Sequence, residues 1–316
     1  MTPSRRRLLS WYRRNRRDFP WRRTTDPYAI WVSEIMAQQT RVGVVVAYYE
    51  RFLKRFPDVR TLARARLQTV LGHWSGLGYY RRARHLHASA KILAREGFPE
   101  TEAGWRALPG VGAYTAAAIA SIAFGRRAAV VDGNVERVLC RLHRLKRDPR
   151  RVRELADAWI SPSSPGDHNQ AVMELGATLC TPRAPRCREC PLVADCLGRA
   201  APERYPGPKP RPATVRERRA VAFVRRDGRV LLRQLDGRRL DGLWDLPETA
   251  PKGEVLGRVR HSILDRRLEI TIHRGRAGRT RAGAGWFGPR RASALALTAS
   301  ARKCLRAVGF LDESVG

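Results

Sequence analysis

Four cysteines lie within seventeen residues of this 316-residue chain, in the pattern Cys-x6-Cys-x2-Cys-x5-Cys. They are Cys180, Cys187, Cys190 and Cys196. Thiolates are the soft ligands that hold iron-sulfur clusters and zinc in proteins. Because the four lie so close along the chain, one loop can close around one metal centre with little chain to order. The spacing therefore predicts a metal-bearing loop, and its ligands fit either an iron-sulfur cluster or zinc.

Disulfides are the poorer interpretation of these cysteines. The chain begins Met1-Thr2-Pro3-Ser4, and three arginines and a short Leu8-Leu9 pair follow, so we expect no apolar signal segment. Without one, an oxidising compartment is not expected. The other two cysteines, Cys140 and Cys304, lie in apolar helical stretches, where a free thiol is typically a small core residue.

The charge of the chain favours a polyanionic partner. Lys and Arg number 62 against 29 Asp and Glu, which gives a formal net charge of +33. Such a balance is typical of nucleic-acid binding that weakens with salt through counterion release. However, 56 of the basic residues are Arg and six are Lys, a skew that coding bias in a GC-rich genome also produces. Charge alone therefore does not establish the partner. No stretch approaches the roughly 20 apolar residues of a membrane span.

A proline-rich stretch divides the chain into two regions. Five prolines lie between Ala201 and Pro212, and they predict a stiff, polyproline-like linker. Before it, apolar residues recur at the helical spacing of three and four. These helical segments are Trp31–Phe56, Leu62–Leu71, Ala83–Leu93, Tyr114–Phe124, Val135–Leu145, Val152–Trp159 and Ala171–Leu179. After the linker, Val221–Val224, an Asp227-Gly228 turn and Val230–Leu232 predict a strand, turn and strand, and Leu268–Ile272 alternates like another strand.

A Gly-x-Gly segment lies inside the helical region, at Leu108-Pro109-Gly110-Val111-Gly112. Gly110 and Gly112 allow positive φ and bring bare N–H groups to the start of the following helix, where a phosphate is favoured. We therefore expect the two glycines to form a non-specific DNA clamp. A plain helix-helix turn would show the same two glycines, so the neighbouring motifs decide.

Those motifs occur in one order along the chain. They are Trp31–Thr40, Gly76–Tyr80, Leu108–Thr115, Val131–Val135 and the cysteine loop. In these residues the sequence resembles the MutY-type adenine DNA glycosylases of the helix-hairpin-helix superfamily, which also contains endonuclease III. The resemblance is dense over about residues 8 to 200 and looser over 213 to 311, where Leu240–Pro247 looks like the family's C-terminal domain.

The resemblance implies a multidomain fold. Residues 1–200 would be an all-α, two-lobed helix-hairpin-helix glycosylase domain whose cysteine loop (180–196) holds a 4Fe-4S cluster. Residues 201–212 would be the linker, and 213–316 a small α/β Nudix-like domain for lesion recognition. We expect a monomer that binds double-stranded DNA with A:8-oxoguanine or A:G mispairs and no membrane, in the cytoplasm of a bacterium and associated with the nucleoid.

Two carboxylates match the needs of glycosidic bond cleavage. One carboxyl must hold a proton for the leaving base while another stays ionised beside an oxocarbenium-like sugar. Glu34 lies in an apolar helix where desolvation would raise its pKa, and Asp132 precedes Gly133 at a helix start where N–H dipoles favour its charged form. Taken singly, a helix Glu is usually a surface residue and such an Asp a helix cap.

The resemblance also assigns roles. Glu34 would protonate adenine N7 and later activate water, and Asp132 would stabilise the cation or a transient adduct, with Tyr114 and Asn134 in support. The remaining positions match residues that contact the extruded adenine (Arg22, Glu174) or that fill the gap and touch the opposite base (Gln39, Thr40, Leu77, Tyr79). Tyr79 would be the aromatic wedge, although the adjacent Tyr80 could exchange roles with it. Arg183, Arg186 and Arg188 of the cysteine loop would face phosphates.

Two residue identities favour a monofunctional adenine glycosylase. A lyase needs an amine nucleophile, and endonuclease III-like chains have a lysine where this one has Tyr114. Those relatives also lack a glutamate at the position of Glu34. The resemblance therefore implies hydrolysis without strand cleavage.

The C-terminal region departs from the family pattern. Ile263, Leu264 and Asp265 stand where the family has a Phe-Ser-His loop that senses 8-oxoguanine, and His261-Ser262 would serve instead if the register slips. The region also lacks the glutamate-rich box of Nudix hydrolases, so we expect no nucleotide pyrophosphate cleavage. A glycosylase with another opposite-base preference and a non-catalytic DNA damage binder are the alternative functions.

Overall fold

The computed structural model describes residues 2–208, 213–236, 242–263, 265–276 and 282–312. The chain forms two compact units. The first comprises Met1–Ala63 and Ala88–Lys209, and the second comprises Arg64–His87 and Pro210–Gly316. Residues 64–87 of the helical region thus belong to the same compact unit as the C-terminal region. The domain boundaries near residues 200 and 213 stay a prediction.

Residues 2–208 form eleven α-helices, nine of which overlap the seven periodic stretches, whereas the helices at 3–15 and 102–106 lie outside those stretches. The eleven helices are α1 (Pro3–Asn15), α2 (Pro27–Ala37), α3 (Val42–Arg55), α4 (Val59–Arg64), α5 (Leu67–His73), α6 (Arg81–Glu96), α7 (Glu102–Arg106), α8 (Ala113–Phe124), α9 (Gly133–Leu142), α10 (Pro149–Trp159) and α11 (Pro165–Thr178). The periodic stretch Trp31–Phe56 is two helices, because the chain breaks after Ala37 and Gln39 adopts a φ of 56°. No helix in the described part of the chain is long and apolar enough to cross a membrane.

Aspartate and proline pairs define where several helices begin. Asp26 accepts hydrogen bonds from the backbone N–H groups of Tyr28 and Ala29, and Pro27 occupies the first turn of α2. Asp148 caps α10 in the same way, with a bond from the Arg151 N–H group. These caps satisfy N–H groups that have no partner within the helix, and proline suits the first turn because it lacks one.

Apolar faces of α1, α9, α10 and α11 form the main described core of the first unit. Two glycines of α11 let neighbouring backbone approach closely. A Cβ atom on Gly166 would lie 2.8 Å from the carbonyl oxygen of Ser121, and one on Gly176 would lie 2.7 Å from Cβ of Asn134. The latter contact matters because Asn134 belongs to the first turn of α9, beside Asp132.

The C-terminal region is rich in β-structure and ends in two helices. Its strands are β1 (Val215–Phe223), β2 (Arg225–Arg226), β3 (Arg229–Gln234), β4 (Trp244–Asp245), β5 (Val255–Ile263), β6 (Arg266–Arg274) and β7 (Ala284–Phe287), and its helices are α12 (Pro289–Ala294) and α13 (Ala299–Ala307). One sheet has the order β1-β6-β5, with β1 and β6 parallel and β5 and β6 antiparallel. In the other, β3 pairs antiparallel with β2, β4 and β7. The two sheets and α13 enclose one apolar core.

The strand predictions agree with this sheet. Leu268–Ile272 is the centre of β6, and Asp227 and Gly228 form the turn between β2 and β3 with φ of 49° and 70°. Left-handed φ at both positions is the geometry of a type I′ hairpin. The first strand of the predicted hairpin differs from the prediction. Val221–Val224 lies mostly in β1, and β1 pairs with β6.

The predicted extended linker is wrong for its first part. Residues Pro202–Arg204 form a short 3-10 turn. The turn is fixed within the first unit, because the Arg141 guanidinium donates to the carbonyl oxygens of Pro202 and Tyr205 at 2.9 and 3.2 Å. Proline density alone did not reveal that partner. The end of the linker, 209–212, lies outside the described residues.

Two glycine substitutions test the close approach of α9 and α11. We expect Gly176→Ala to destabilise the protein by about 1–3 kcal/mol, because the new methyl group forces the Asn134 backbone away. Gly43→Ala, in α3 with no atom within 4 Å of its added Cβ, is the matched control and should stabilise by about 0.5–1 kcal/mol. Urea unfolding of both variants measures the difference. Equal effects of the two substitutions would contradict the packing described here.

Candidate active site

Glu34 lies in the middle of α2, surrounded in sequence by core residues. Its side chain is half-buried, and its Oε2 atom is buried without a hydrogen-bond partner among the described residues. Burial raises the pKa of this carboxyl to about 7. The nearby Tyr114 hydroxyl lowers this pKa, the charge of Asp132 raises it, and the charge of Arg22 lowers it. The desolvation expected from the apolar helix is therefore present, and Glu34 can hold a proton near neutral pH.

Asp132 is the cap of α9. Its Oδ1 atom accepts hydrogen bonds from the backbone N–H groups of Asn134 and Val135 at 2.9 and 2.7 Å, and its Oδ2 atom accepts from the Asn134 side-chain amide at 2.9 Å. Three N–H donors and the helix dipole stabilise a negative charge at this carboxylate. Asp132 is thus both a cap and a second carboxylate whose charge acts on Glu34.

Asn134 is held in turn by Arg137, one helical turn later. The Arg137 guanidinium donates to the Asn134 side-chain oxygen at 2.9 Å and to the carbonyl oxygens of Gly176 and Cys180 at 2.6 and 2.7 Å. One side chain therefore connects the cap of α9, the end of α11 and the first cysteine of the loop. The sequence analysis missed Arg137; its only signal was a position three residues after Asn134 on the same helix face.

Tyr114 lies in the first turn of α8, where its hydroxyl donates to Sδ of Met173 at 3.3 Å. Burial raises its pKa well above the usual value, and the charges of Glu34 and Asp132 raise it further. The phenol therefore stays protonated beside the two carboxyls. Because residue 114 is a tyrosine and not a lysine, it offers no amine nucleophile.

The turn before α8 differs in part from the prediction. Gly110 has a φ of 76°, so it needs glycine. Gly112 caps α8 with a φ of −88°, which any residue adopts, and a Cβ atom there would meet nothing within 4 Å. The expectation that both glycines supply positive φ is wrong for Gly112. Both residues are exposed at the start of the helix, which leaves its first N–H groups open to an anion.

Glu174 of α11 is enclosed by two arginines. Arg17 binds both carboxylate oxygens, at 2.7 and 3.0 Å, and Arg22 donates to Oε2 at 2.7 Å. Burial raises the pKa of Glu174, but the hydrogen bonds from Arg17 and Arg22 outweigh it and lower the pKa overall. The predicted pair Arg22 and Glu174 is therefore together. The sequence analysis missed Arg17, which preceded Phe19-Pro20 in an arginine-rich run and so gave no distinct signal.

The four predicted ligand cysteines line one small cavity of about 30 Å³. Burial raises the pKa of Cys190 to about 11, and the charges of the other three thiols also raise it, which shows that the four lie close together. No group of three or more His, Cys, Asp or Glu side chains among the described residues is arranged to hold a metal ion.

A buried arginine lies against this cavity. Arg141 of α9 is 2% exposed, and its guanidinium donates to Sγ of Cys180 at 3.3 Å and to the carbonyl oxygens of Thr181 and Pro182 at 2.7 and 3.0 Å. Its own carbonyl oxygen accepts from Cys196 at 3.5 Å. Arg141 was also missed from the sequence, although a charged residue between Cys140 and Leu142 on an apolar helix face was a signal.

The residues predicted to touch the opposite base lie in two places. Gln39 and Thr40 follow α2 in the first unit, and Gln39 is exposed with a left-handed φ of 56°. Leu77 and Tyr79 belong to the second unit, and Tyr79 is 42% exposed with a φ of 48°. Tyr80 is 6% exposed and its hydroxyl donates to a backbone carbonyl, so only Tyr79 is free to act as a wedge.

The predicted sensor segment lies at the turn between β5 and β6. Ile263 is exposed at the end of β5, Leu264 lies outside the described residues, and the Asp265 carbonyl oxygen accepts from the Val215 N–H group at 2.8 Å. His261 pairs with Leu268 in a regular ladder and is half-buried.

Comparisons with known proteins agree with this arrangement. Residues 32–162 match the family described as HhH-GPD superfamily base excision DNA repair protein. An adenine DNA glycosylase of Homo sapiens is 47% identical over 210 residues, which are 61% of this chain and 38% of that protein. One of Buchnera aphidicola subsp. Baizongia pistaciae is 40% identical over 197 residues, 60% of this chain and 56% of that protein. A solved thermostable thymine-DNA glycosylase matches with a TM-score of 0.57 and 30% identity, over 62% of this chain and 96% of that one.

The chain belongs to the HhH-GPD superfamily, and within it the chain is similar to the MutY-type adenine DNA glycosylases. The helical region has the helix-hairpin-helix glycosylase fold, and a β-rich region follows it. The chain spans less than two thirds of the length of the curated relatives it matches.

The raised pKa of Glu34 has a cost in stability that can be measured. In the folded protein this carboxyl binds its proton up to about pH 7, whereas in the unfolded chain it ionises near its usual value of 4.5. As pH rises from 4.5 to 7, Glu34 therefore lowers the free energy of unfolding, and the loss reaches about 3 kcal/mol above pH 7. We expect Glu34→Gln to stabilise the protein at pH 8 and to have little effect at pH 4.5.

Thermal unfolding at pH 4.5 and pH 8 tests this expectation. Glu96→Gln, at the exposed end of α6, is the control and should show no such pH dependence. An equal effect of Glu34→Gln at both pH values would show that its carboxyl is not desolvated.

Proposed function

We propose that this protein is a monofunctional adenine DNA glycosylase of base excision repair, which hydrolyses the N-glycosidic bond of adenine mispaired with 8-oxoguanine or guanine. The observation that carries the proposal is the pair of unlike carboxyls. Glu34 is desolvated with a pKa of about 7, and Asp132 accepts three N–H donors. One group thus holds a proton and the other a charge, as cleavage of a purine glycosidic bond requires.

The chemical steps assign one function to each carboxyl. Glu34 donates its proton to N7 of the extruded adenine, so the base leaves as a neutral molecule with the electron pair of the bond to the sugar. Asp132 stabilises the positive sugar, as an ion pair or a transient ester. The Glu34 carboxylate then takes a proton from water, whose oxygen bonds to the sugar carbon. The second step restores the protonated Glu34 and leaves an abasic site.

The adenine pocket is supported by the buried ion pairs around Glu174. Arg22 binds Glu174, and its charge also acts on Glu34, so it lies near both carboxyls. We assign Arg22 and Glu174 to contacts with the extruded base, with Arg17 fixing Glu174. Extrusion itself costs a few kcal/mol, which an aromatic wedge at Tyr79 offsets in part.

Double-stranded DNA is the partner that these features favour. Gly110 and Gly112 leave exposed N–H groups at the start of α8, where a phosphate oxygen binds well. Arg183, Arg186 and Arg188 lie on the cysteine loop, and all three are exposed. We assign these groups to backbone contacts, whose affinity falls steeply with salt. A monomeric protein in the bacterial cytoplasm is the setting we propose.

We assign a 4Fe-4S cluster to the four cysteines. The four thiols line one cavity, which supports a single metal group that they share. The hydrogen bond from Arg141 to Cys180 supports an anionic group there. The cluster would close the loop that carries the basic residues, and no step of base removal passes through it.

The C-terminal region supports a Nudix-like domain with an altered lesion sensor. Ile263 offers no hydrogen bond to 8-oxoguanine, and the Asp265 carbonyl is engaged by Val215. A second candidate function follows from these residues, namely a mismatch glycosylase with another opposite-base preference. The 30% identical thymine-DNA glycosylase is a member of the same fold with a different named substrate.

Base release from defined duplexes tests the proposal. We expect single-turnover release of adenine opposite 8-oxoguanine and guanine, slow release opposite cytosine or thymine, and no cleavage of the strand without added base. Glu34→Gln should reduce release by a factor of about 10²–10⁴, the usual contribution of a general acid. Glu96→Gln is the matched control.

The possible outcomes separate the candidates. Fast release opposite 8-oxoguanine alone would mean that the lesion is recognised without the usual loop. Similar rates opposite guanine would favour relaxed specificity, and release of another base would favour the second candidate. No release of any base, with tight binding to mispaired DNA, would favour a non-catalytic damage binder and overturn the proposal.

Metal analysis tests the cluster assignment. Protein purified without oxygen should contain about four iron and four sulfide per chain. Cys190→Ser should lose them, whereas Cys304→Ser, in the C-terminal core, should keep them. One zinc per chain in place of iron would contradict the assignment.

A further inference from the structure

Residues Gly76–Tyr80, the wedge turn, have an unusual backbone. Gly76, Gly78 and Tyr79 have φ of 104°, 72° and 48°. Glycine adopts such angles freely, but tyrosine does so only when its surroundings impose the conformation. The result is that the Tyr79 side chain is 42% exposed while Tyr80 is buried. The groups that impose this geometry therefore determine whether a wedge is presented.

The first support comes from residues next to the turn. The Trp74 indole N–H donates to the Gly78 carbonyl oxygen at 3.1 Å, and the Arg82 guanidinium donates to the carbonyl oxygens of Leu77 and Gly78 at 3.3 Å. Arg82 is 9% exposed and lies 5.3 Å from the centre of the Tyr79 ring. Burial lowers its pKa to about 10, so it remains charged at neutral pH.

The second support comes from the C-terminal region, within the same compact unit. The Tyr80 hydroxyl donates to the Leu297 carbonyl oxygen at 2.8 Å, and Arg302 of α13 donates to the Ser75 hydroxyl at 2.7 Å. The hydroxyls of Ser75 and Tyr80 are 3.4 Å apart. The two ends of the wedge turn are therefore fixed to residues more than 200 positions later in the chain.

The C-terminal anchor is itself rigid. Leu297 is fully buried, and Trp244 of β4 binds the backbone on both sides of it, through the Ala296 carbonyl oxygen and the Thr298 N–H group, each at 2.9 Å. The Arg302 guanidinium also donates to the Ser293 carbonyl oxygen at 3.3 Å. Because this segment is held on both sides, a shift of the C-terminal core would also shift the wedge turn.

We propose that Tyr80 and Arg302 are positioning residues, through which the C-terminal region holds Tyr79 in its exposed, left-handed conformation. The inference rests on the proposed function. The contacts act on extrusion of the base and on the fit of the opposite base, not on bond cleavage at Glu34. The C-terminal region thus contributes to the reaction through the wedge turn as well as through its own surface.

Fluorescence of 2-aminopurine, placed in the duplex at the target position, measures extrusion without chemistry. In the Glu34→Gln protein we expect bright emission from the unstacked base. When Arg302→Ala is added, we expect the equilibrium constant for extrusion to fall about tenfold, because a charged hydrogen bond is removed. Tyr80→Phe should act in the same direction. Lys303→Ala, one residue later on the exposed side of α13, is the matched control and should change nothing.

A double-mutant comparison then decides whether the effect passes through the wedge. In a Tyr79→Ala protein the wedge is already absent, so Arg302→Ala should have no further effect on extrusion or on single-turnover release. If Arg302→Ala reduces both by the same factor with and without Tyr79, the inference is overturned. Arg302→Lys, which keeps a donor, should restore part of the fluorescence signal. Thermal unfolding of each variant identifies any loss of folding. If Arg302→Ala does not fold, Tyr80→Phe provides the same test.

The controls separate this inference from the proposed function. Absence of base release by the unaltered protein would contradict the proposed function, whereas the fluorescence comparison would still report on Tyr79. Conversely, normal release combined with additive effects of Tyr79→Ala and Arg302→Ala would leave the proposed function intact and remove the positioning role.

Discussion

The close crossing of α9 and α11 is the constraint on which the candidate site depends. Gly176 has no side chain, so the α11 backbone reaches Asn134, and Arg137 binds Asn134, the Gly176 carbonyl and the Cys180 carbonyl at once. The cap of α9 and the start of the cysteine loop therefore share one hydrogen-bonded support. A displacement of the loop changes the position of the Asn134 amide, and with it one of the three donors to Asp132.

The two catalytic candidates, Glu34 and Asp132, differ in the hydrogen-bond donors that replace water around them. The carboxyl of Glu34 loses water without gaining enough donors, whereas Asp132 exchanges water for three N–H groups. Their mutual repulsion adds to the same effect, because a charge on Asp132 raises the pKa of Glu34. The site is therefore less stable than a neutral replacement would be, which is the usual relation between activity and stability where a carboxyl must stay protonated.

The arginine excess has a structural explanation beside its electrostatic one. Arg137 and Arg141 each bind several backbone carbonyls, Arg17 binds both oxygens of Glu174, and Arg82 and Arg302 fix the wedge turn. A planar group with five donors in a fixed fork can make such contacts, and the ammonium group of lysine cannot make them in the same way. Part of the charge of +33 is thus committed to holding the loops in place, and only the remainder can face a polyanion.

Much of the fold followed from local sequence pattern. Helical periodicity, aspartate caps and the Asp227-Gly228 turn depend on neighbours in the chain, so the helices and one hairpin could be predicted. Glu34 and Asp132 were found because motif and chemistry agreed. In contrast, Arg17, Arg137 and Arg141 act through partners 39 to 157 positions away. The helix positions of Arg137 and Arg141 were local signals, but they did not identify these partners.

The adjacent Tyr79 and Tyr80 show the same limit most clearly. The two side chains are chemically identical, and local sequence did not indicate which of them is buried. The choice depends on a carbonyl oxygen at Leu297, which accepts from Tyr80 and so leaves Tyr79 exposed. A distant backbone group thereby determines which of two equivalent rings is exposed, because it accepts a hydrogen bond from the hydroxyl of the buried ring.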